Sequence, residues 1–242
     1  MNGLWQTIMD NVLFVAEFVG TIVAMFLIAY FIEKYSQARR NVKEKIFTTR
    51  AITMIGMFSA LAFILFLIEF PLPFAPAFYQ VDFSEIPVLI GTFAFGPVAG
   101  VMIEFCKILL KLLIKGTGTA FVGELANFAV GCALLLPASL VYERKKCKKN
   151  AILGLVAGSA TMTIFAVFFN ALYLLPTFSV MYGWPMDTLI AMGTKVNEKI
   201  TDMTSFVVLA VGPLNIFKSV LVSIITMLIY KPLSVVIKGG NK

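Results

Sequence analysis

The sequence has no histidine, only three cysteines and few charged residues. The absence of histidine excludes catalytic histidines and histidine metal ligands. Cys106 and Cys132 lie within apolar runs and Cys147 lies in a basic stretch, so the sequence predicts neither a disulfide framework nor a cysteine metal cluster. No nucleophile–base pair is visible either. These absences argue against an enzyme.

The sequence also lacks a phosphate-binding loop. Gly91 and Gly96 have the glycine spacing of such a loop, but Pro97 stands where the lysine is required and no Ser or Thr follows it. We therefore expect no ATPase activity from this chain.

Apolar residues dominate what is present. Hydrophobic residues make up 60% of the chain, charged residues 14%, and the mean hydropathy is +0.92. Soluble domains carry about 25% charged residues. The composition predicts an all-α integral membrane protein, a bundle of about six or seven helices in the lipid bilayer with no separate soluble domain.

The apolar spans are separated by short polar or proline-containing segments. The first two spans are predicted at 12–32 and 51–70, and a broken pair at 83–95 and 98–114 is divided by Gly96-Pro97, as a turn or as a kink. Three more are predicted at 122–142, 151–174 and 213–230, with Pro213 at the first position of the last helix. Residues 176–204 are predicted to form an outer loop that partly folds over the bundle.

The basic residues indicate the orientation. A soluble protein with a net charge of +7 would suggest a nucleic-acid partner, but here the charges flank apolar spans, so no nucleic acid is predicted. With the start of the chain outside, fourteen of the twenty Lys and Arg fall on the cytoplasmic side, as the positive-inside rule requires. They are Lys34, Arg39, Arg40, Lys43, Lys45, Arg50, Arg144, Lys145, Lys146, Lys148, Lys149, Lys231, Lys238 and Lys242.

Several polar side chains lie within the spans near their outer ends. Glu124 and Asn127 share one face of a helix at i, i+3, as do Asn215 and Lys218, and Asn170 lies near the outer end of its span. A charged residue at the centre of a membrane helix costs about 2.5–3.5 kcal/mol on insertion scales, and polar residues in spans are usually functional. A binding role is therefore favoured for Asn170, Asn215 and Lys218 over packing or snorkelling.

Aromatic residues occupy the same outer layer, beside a proline-rich loop between Glu69 and Glu85. Two interpretations are open for them: an apolar pocket for a flat small molecule, or the aromatic belt common at membrane interfaces, which is the more frequent arrangement. The aromatic residues are Phe74, Phe78, Tyr79, Phe169, Tyr173, Phe178, Tyr182 and Trp184.

A separate stripe of charge lies on the span at 98–114. Glu104, Lys107 and Lys111 are spaced at i, i+3 and i+7. An internal ion pair between Glu104 and Lys107 is the preferred interpretation. The alternative is that Lys107 and Lys111 approach a ligand at the outer end.

Several spaced motifs resemble the riboflavin-binding substrate (S) component of energy-coupling factor (ECF) transporters over about residues 51–232. They are Asp-Phe-Ser-Glu-Ile-Pro at 82–87, Gly-Thr-Phe-Ala-Phe-Gly-Pro at 91–97, Gly-Glu-Leu-Ala-Asn-Phe at 123–128, Asn-Ala-Leu-Tyr-Leu-Leu-Pro at 170–176 and Gly-Pro-Leu-Asn-Ile-Phe-Lys at 212–218. The resemblance implies a six-helix bundle in the bacterial cell membrane that captures riboflavin on the outer side. A transmembrane scaffold protein and two ATPases would then drive release inward, with riboflavin as cargo and no cofactor.

The resemblance also implies roles for particular residues. The family's polar ligand residues map onto Asn170, Asn215 and Lys218, with Glu124 as a further candidate, and its scaffold-contacting surface maps onto Gly56 and Ala60. From their position in the outer layer, Asn127, Phe78, Tyr79 and Tyr173 complete the predicted substrate-binding set. An Asn amide offers one donor and one acceptor to the uracil-like edge of isoalloxazine, whereas Lys only donates. The ribityl hydroxyls would find Glu124, Asn127 or backbone groups of the loop.

The first part of the chain departs from the resemblance. Residues 1–50 are predicted to add a transmembrane helix and a basic cytoplasmic loop to the six-helix vitamin-binding domain of residues 51–242. Two other functions stay open: an S component for another vitamin or a flavin analogue, and a carrier that works alone with coupled ions. Against the second, the polar groups cluster at one side, whereas alternating-access carriers usually bind near the midplane.

Overall fold

The computed structural model describes residues 12–42, 45–76 and 78–237, and in them the chain is almost entirely helical. The basic residues Lys43, Lys238 and Lys242 lie outside the described residues. The ten helices of the described part are α1 (Val12–Arg39), α2 (Thr49–Leu67), α3 (Glu85–Phe95), α4 (Pro97–Ile114), α5 (Val122–Arg144), α6 (Lys148–Phe169), α7 (Leu175–Tyr182), α8 (Met186–Thr194), α9 (Met203–Phe206) and α10 (Gly212–Ile237). Strands β1 (Phe70–Pro71) and β2 (Gln80–Val81) pair antiparallel in the loop after α2.

Five helical stretches of the described chain are long and apolar enough to cross a membrane: Val12–Arg39, Thr49–Leu67, Val122–Arg144, Lys148–Tyr182 and Met203–Tyr230. Helix α3 has 11 residues, about 16 Å of helix, and is too short to cross a hydrocarbon core of about 30 Å alone. The four stretches after α1, together with the short α3 and the charge-bearing α4, form a six-helix bundle. The predicted all-α membrane fold is confirmed.

Two predicted helix boundaries are wrong, because wide π turns carry the chain past them. Helix α6 continues through a π turn at Asn170–Leu174 into α7, and α9 continues through a second π turn at Val207–Val211 into α10. Pro213 therefore lies inside a continuous helical rod, and much of 176–204 is helical. Pro176 and Pro213 each follow a π turn by two residues, where the altered hydrogen bonding accommodates a residue without an N–H.

The Gly96-Pro97 step is a turn and not a kink. Gly96 has φ +98°, a conformation that favours glycine. Around it α3 folds back on α4. The two helices are so close that a Cβ on Gly91 would lie 2.2 Å from Ile103 Cδ1 and a Cβ on Gly100 would lie 2.0 Å from Thr92 Oγ1. The two glycines thus let the short helices pack closely against each other.

Helix α1 packs across α4 and α5. Phe18 of α1 makes an edge-to-face contact with Phe128, and Glu33 Oε2 accepts the Val98 N–H at 3.2 Å, at the first turn of α4. At the end of α1, Arg40 Nη2 lies 2.8 Å from Glu143 Oε2. This pair joins the two predicted cytoplasmic basic segments at one end of the bundle, called the basic end below.

Candidate functional site

A cavity of about 300 Å³ opens at the end of the bundle opposite the basic end. It lies where α2 ends, where α5 begins, where α6 passes into its π turn and where α10 begins, and the β1–β2 loop borders it. Seven of the eight residues predicted to bind substrate line it: Phe78, Tyr79, Glu124, Asn127, Asn170, Asn215 and Lys218.

Three asparagine side chains line the cavity, and two of them are held by hydrogen bonds to their own helices. Asn170 Nδ2 donates to the Ala166 carbonyl at 2.8 Å, and Asn215 Nδ2 donates to the Val211 carbonyl at 2.9 Å. Tyr79 from the loop donates its hydroxyl proton to Asn170 Oδ1 at 2.5 Å. Burial raises the pKa of Tyr79, so this hydroxyl stays protonated and acts as a donor.

The third amide has an open acceptor. Asn127 Oδ1 is buried in the cavity wall without a hydrogen-bond partner from the described protein. A buried carbonyl oxygen left unpaired costs about 1–3 kcal/mol. A ligand hydroxyl or N–H that enters the cavity would therefore find a favourable partner in Asn127.

Lys218 does not snorkel to the membrane surface, which was one of its two predicted positions. It is 7% exposed, and its Nζ donates to Asp82 Oδ2 at 2.9 Å across the cavity. Burial alone would raise the pKa of Asp82, but the charges of Lys218 and Lys107 and hydrogen bonds from Ser84 and Lys218 bring it below its ordinary value. The ion pair is thus a fixed part of the cavity wall.

Behind this wall lies a second buried cation. Lys107 is fully buried, and its Nζ lies 2.7 Å from Glu104 Oε1, 3.0 Å from Glu85 Oε1 and 3.0 Å from Ser84 Oγ. The predicted Glu104–Lys107 pair is confirmed. Of these groups only Glu85 lines the cavity, so Lys107 supports the site from outside it.

Lys111, by contrast, does reach the cavity, as the alternative interpretation expected. It donates to Glu124, which also accepts from the hydroxyls of Thr117 at 2.9 Å and Thr119 at 3.1 Å. Glu124 is therefore already satisfied by protein donors. In this arrangement Glu124 forms part of the wall. Of the two residues predicted to contact the ribityl hydroxyls, Asn127 is the one with an unused acceptor.

The aromatic residues divide between the cavity and other surroundings. Phe78, Tyr79 and Phe178 line the cavity, and the Phe78 ring stacks on Phe206 with centroids 6.5 Å apart. Tyr173 is the one predicted binding residue that the structure places elsewhere: its hydroxyl donates to Glu17 of α1. The π turn that begins at Asn170 changes the angle between successive side chains, so Tyr173 does not share the face of Asn170.

The residues predicted to contact a partner lie on the outside of α2. Gly56 and Ala60 are exposed, and a Cβ on Gly56 would meet nothing within 4 Å. This face is open to a lipid or to another helix.

Sequence reasoning missed several groups that line the cavity. In the sequence Asp82 and Glu85 stand out only as parts of a motif or a loop flank, and nothing marks Phe66, Gln80, Thr119 or Met162 as lining residues. The one indication available for Asp82 was a buried lysine, Lys218, that needed a counter-ion. Among the described residues no group of three or more Cys, Asp and Glu is arranged to hold a metal ion.

A multi-pass helical bundle whose non-basic end opens into a cavity with convergent polar side chains is the arrangement expected of a membrane protein that binds a small solute. Residues 50–230 match the family model described as "ECF transporter, substrate-specific component", and the chain belongs to that family. It is a component of transport and not an enzyme. The family model begins at residue 50, so α1 lies outside the match.

Individual relatives agree with this assignment. The riboflavin transporter RibU of Staphylococcus aureus is 37% identical over 74% of this chain and 88% of its own length. The riboflavin transporter FmnP of Bacillus subtilis is 29% identical over 75% of this chain and 90% of its own length. A solved structure of the S component of a bacterial ECF transporter superimposes with a TM-score of 0.61 at 35% identity, covering 78% of this chain and 98% of that one.

Proposed function

We propose that this chain is the riboflavin-binding subunit of an ECF-type uptake transporter, capturing riboflavin on the outer side of the bacterial membrane. The observation that carries the proposal is the cavity opposite the basic end, where Asn127, Asn170 and Asn215 converge between aromatic and aliphatic walls. The relatives named as riboflavin transporters support this choice of ligand.

The chemistry of the cavity suits an amphipathic flat ligand. Isoalloxazine has two apolar faces and an edge that carries a donor N–H between two carbonyl acceptors. Amides at Asn170 and Asn215 offer both donors and acceptors to such an edge, while Phe78, Phe178 and Met162 supply apolar surface for its faces. Asn127 Oδ1 accepts from a ribityl hydroxyl.

Release to the cytoplasm requires an energy source that this chain lacks. We propose that a transmembrane scaffold protein and two ATPases supply it, and that the scaffold contacts the exposed Gly56–Ala60 face of α2. Residues 51–242 form the vitamin-binding domain in this proposal, and residues 1–50 add α1 and its basic loop. Riboflavin is the cargo, and no cofactor takes part.

Purification of the full chain in mild detergent tests the ligand directly. A yellow protein whose released ligand co-elutes with riboflavin supports the proposal, and titration of the stripped protein should quench flavin fluorescence at a stoichiometry of one. A colourless protein that leaves flavin fluorescence unchanged but binds another vitamin would instead identify an S component of different specificity. Uphill uptake by vesicles holding only this chain would show a carrier that works alone.

A further inference from the structure

A second cavity, of about 530 Å³, lies between α6 and α10 and extends from the basic end towards the middle of the bundle, on lining residues that it does not share with the ligand cavity. We call it the α6–α10 groove. Its main lining residues are Lys148, Ile152, Val156, Ser159, Ile224 and Leu228. The small side chain of Ser159 contributes to its depth.

The walls of the groove face the hydrocarbon of the membrane. Val156, Ile224 and Leu228 are 62%, 55% and 70% exposed although they lie in helices that span the bilayer. From Lys148 to Ser159 the groove extends along about 16 Å of helix. This is about half of the 30 Å hydrocarbon core, so the length of the groove matches the acyl region of one leaflet.

One end of the groove is strongly basic. Lys148 lies at its mouth, and Arg144, Lys145 and Lys149 lie within four residues of it in the chain. Lys148 is exposed and makes no ion pair within the described residues, whereas the neighbouring Lys146 is paired with Glu143 at 2.9 Å. An acyl-sized apolar slot that ends at an available ammonium complements an anionic amphiphile.

We propose that the α6–α10 groove binds an anionic phospholipid of the cytoplasmic leaflet. One acyl chain lies between α6 and α10, and the phosphate lies against Lys148 with the other basic residues of the loop nearby. Anionic headgroups are attracted to basic clusters beside membrane helices, and basic pockets between helices on the cytoplasmic side select them. The groove and the ligand cavity share no lining residue, so the lipid proposal does not depend on which ligand is transported.

The first test needs no variant. The full chain, delipidated in detergent, is titrated with dioleoylphosphatidylglycerol or with dioleoylphosphatidylcholine, and bound lipid is counted by native mass spectrometry. We expect a tight phosphatidylglycerol adduct of one lipid per chain that phosphatidylcholine does not form. Equal occupancy by the two lipids would overturn the proposal.

Charge and shape are then tested separately. Lys148→Gln should weaken phosphatidylglycerol binding about fivefold, while Lys199→Gln, which removes the same charge from an exposed residue of the outer loop, should not. Ser159→Leu should block the acyl chain, whereas Thr161→Leu, on the exposed side of the same helix, should be silent. A melting temperature equal to that of the unmodified chain shows that each variant is folded.

Two results would contradict the assignment. Loss of lipid equal in Lys148→Gln and Lys199→Gln would mean that the attraction is not local to the groove. If Ser159→Leu keeps phosphatidylglycerol but no longer assembles with the ATPase module, the groove receives a protein helix instead of a lipid.

Discussion

The amides of the cavity are the residues on which ligand recognition is expected to depend. Asn127→Ala, Asn170→Ala and Asn215→Ala should each weaken riboflavin binding, because each leaves a polar group of the ligand buried without its partner. The expected loss is about 1–3 kcal/mol, or roughly tenfold in affinity for every 1.4 kcal/mol. Quenching of flavin fluorescence measures it.

Asn150→Ala is the matched control for these variants, since Asn150 lies in the first turn of α6 at the basic end. It should bind riboflavin as the unmodified chain does. Unchanged affinity in all three cavity variants would place the ligand elsewhere, even though the family assignment would stand.

Lys218 is expected to stabilise the fold through its ion pair with Asp82, and a binding measurement alone would not separate this role from contact with the ligand. Lys218→Ala leaves Asp82 buried without its cation, and breaking a buried pair costs about 3–5 kcal/mol. We expect a markedly lower melting temperature for this variant without ligand, and partial recovery in the Lys218→Ala, Asp82→Ala double variant. A Lys218→Ala protein that melts normally but does not bind riboflavin would show instead that the ammonium acts on the ligand.

Sequence alone located the polar residues of the site better than their partners. Asn170, Asn215 and Lys218 could be predicted because a polar side chain within an apolar span is conspicuous. The contact of Lys218 with Asp82 could not, since 136 residues separate the pair and no local periodicity connects them. The position of Tyr173 outside the cavity could not be predicted either, because the π turn that contains it has no recognisable sequence pattern.

At the level of elements, the π turns also explain why two helix ends are predicted at the wrong residues, since no sequence pattern reveals these turns. Proline is a reliable sign of a helix start or break in an ordinary α-helix, but at Pro213 this sign predicts the wrong boundary. The π turns before Pro176 and Pro213 let two rods continue through these prolines. The apolar spans themselves were predictable, because they depend on composition over about twenty residues and not on the local hydrogen-bonding pattern.

Helix α1 is predicted to support the bundle without contributing to recognition. Removal of residues 1–48 should lower the melting temperature, because it uncovers the surface of α5 against which Phe18 packs. It should leave riboflavin affinity unchanged, since no residue of α1 lines the cavity.

Differential scanning fluorimetry and fluorescence quenching on the same sample separate these two effects. Glu17→Ala removes only the contact of α1 with Tyr173 and serves as the limited comparison. A large loss of affinity in either variant would mean that α1 acts on the cavity through Tyr173.

The exposed face of α2 is expected to serve assembly and not ligand capture. Gly56→Leu and Ala60→Leu should reduce riboflavin uptake in cells that contain the ATPase module, because larger side chains prevent close helix approach. Binding by the purified chain should persist. Gly20→Leu on α1 is the control, since a Cβ there also meets nothing within 4 Å. Loss of binding in the α2 variants would show that this face supports the fold.

For the whole molecule, the positive-inside distribution predicts that the basic end lies in the cytoplasm and that the cavity opens outside. The basic segments meet at Glu143, and the cavity opens at the opposite end. We therefore expect Cys147, between α5 and α6, to be protected from an impermeant thiol reagent in intact cells and labelled after lysis.

Lys199→Cys in a Cys147→Ser background gives the reverse comparison, because residue 199 lies in the loop between α8 and α9 at the cavity end. It should be labelled in intact cells. Efficient labelling of Cys147 from outside, with residue 199 protected, would invert the topology and place the cavity in the cytoplasm.

The hydrogen bond from Tyr79 to Asn170 has a consequence for the rates of the proposed function. It ties the β1–β2 loop to the rod formed by α6 and α7, so movement of the loop away from the rod requires the bond to break. If the β1–β2 loop must move for a ligand to enter or leave, we expect the rate of both steps to follow the opening of this hydrogen bond. Tyr79→Phe, which removes only the hydroxyl, should then speed the dissociation of riboflavin more than it weakens equilibrium binding.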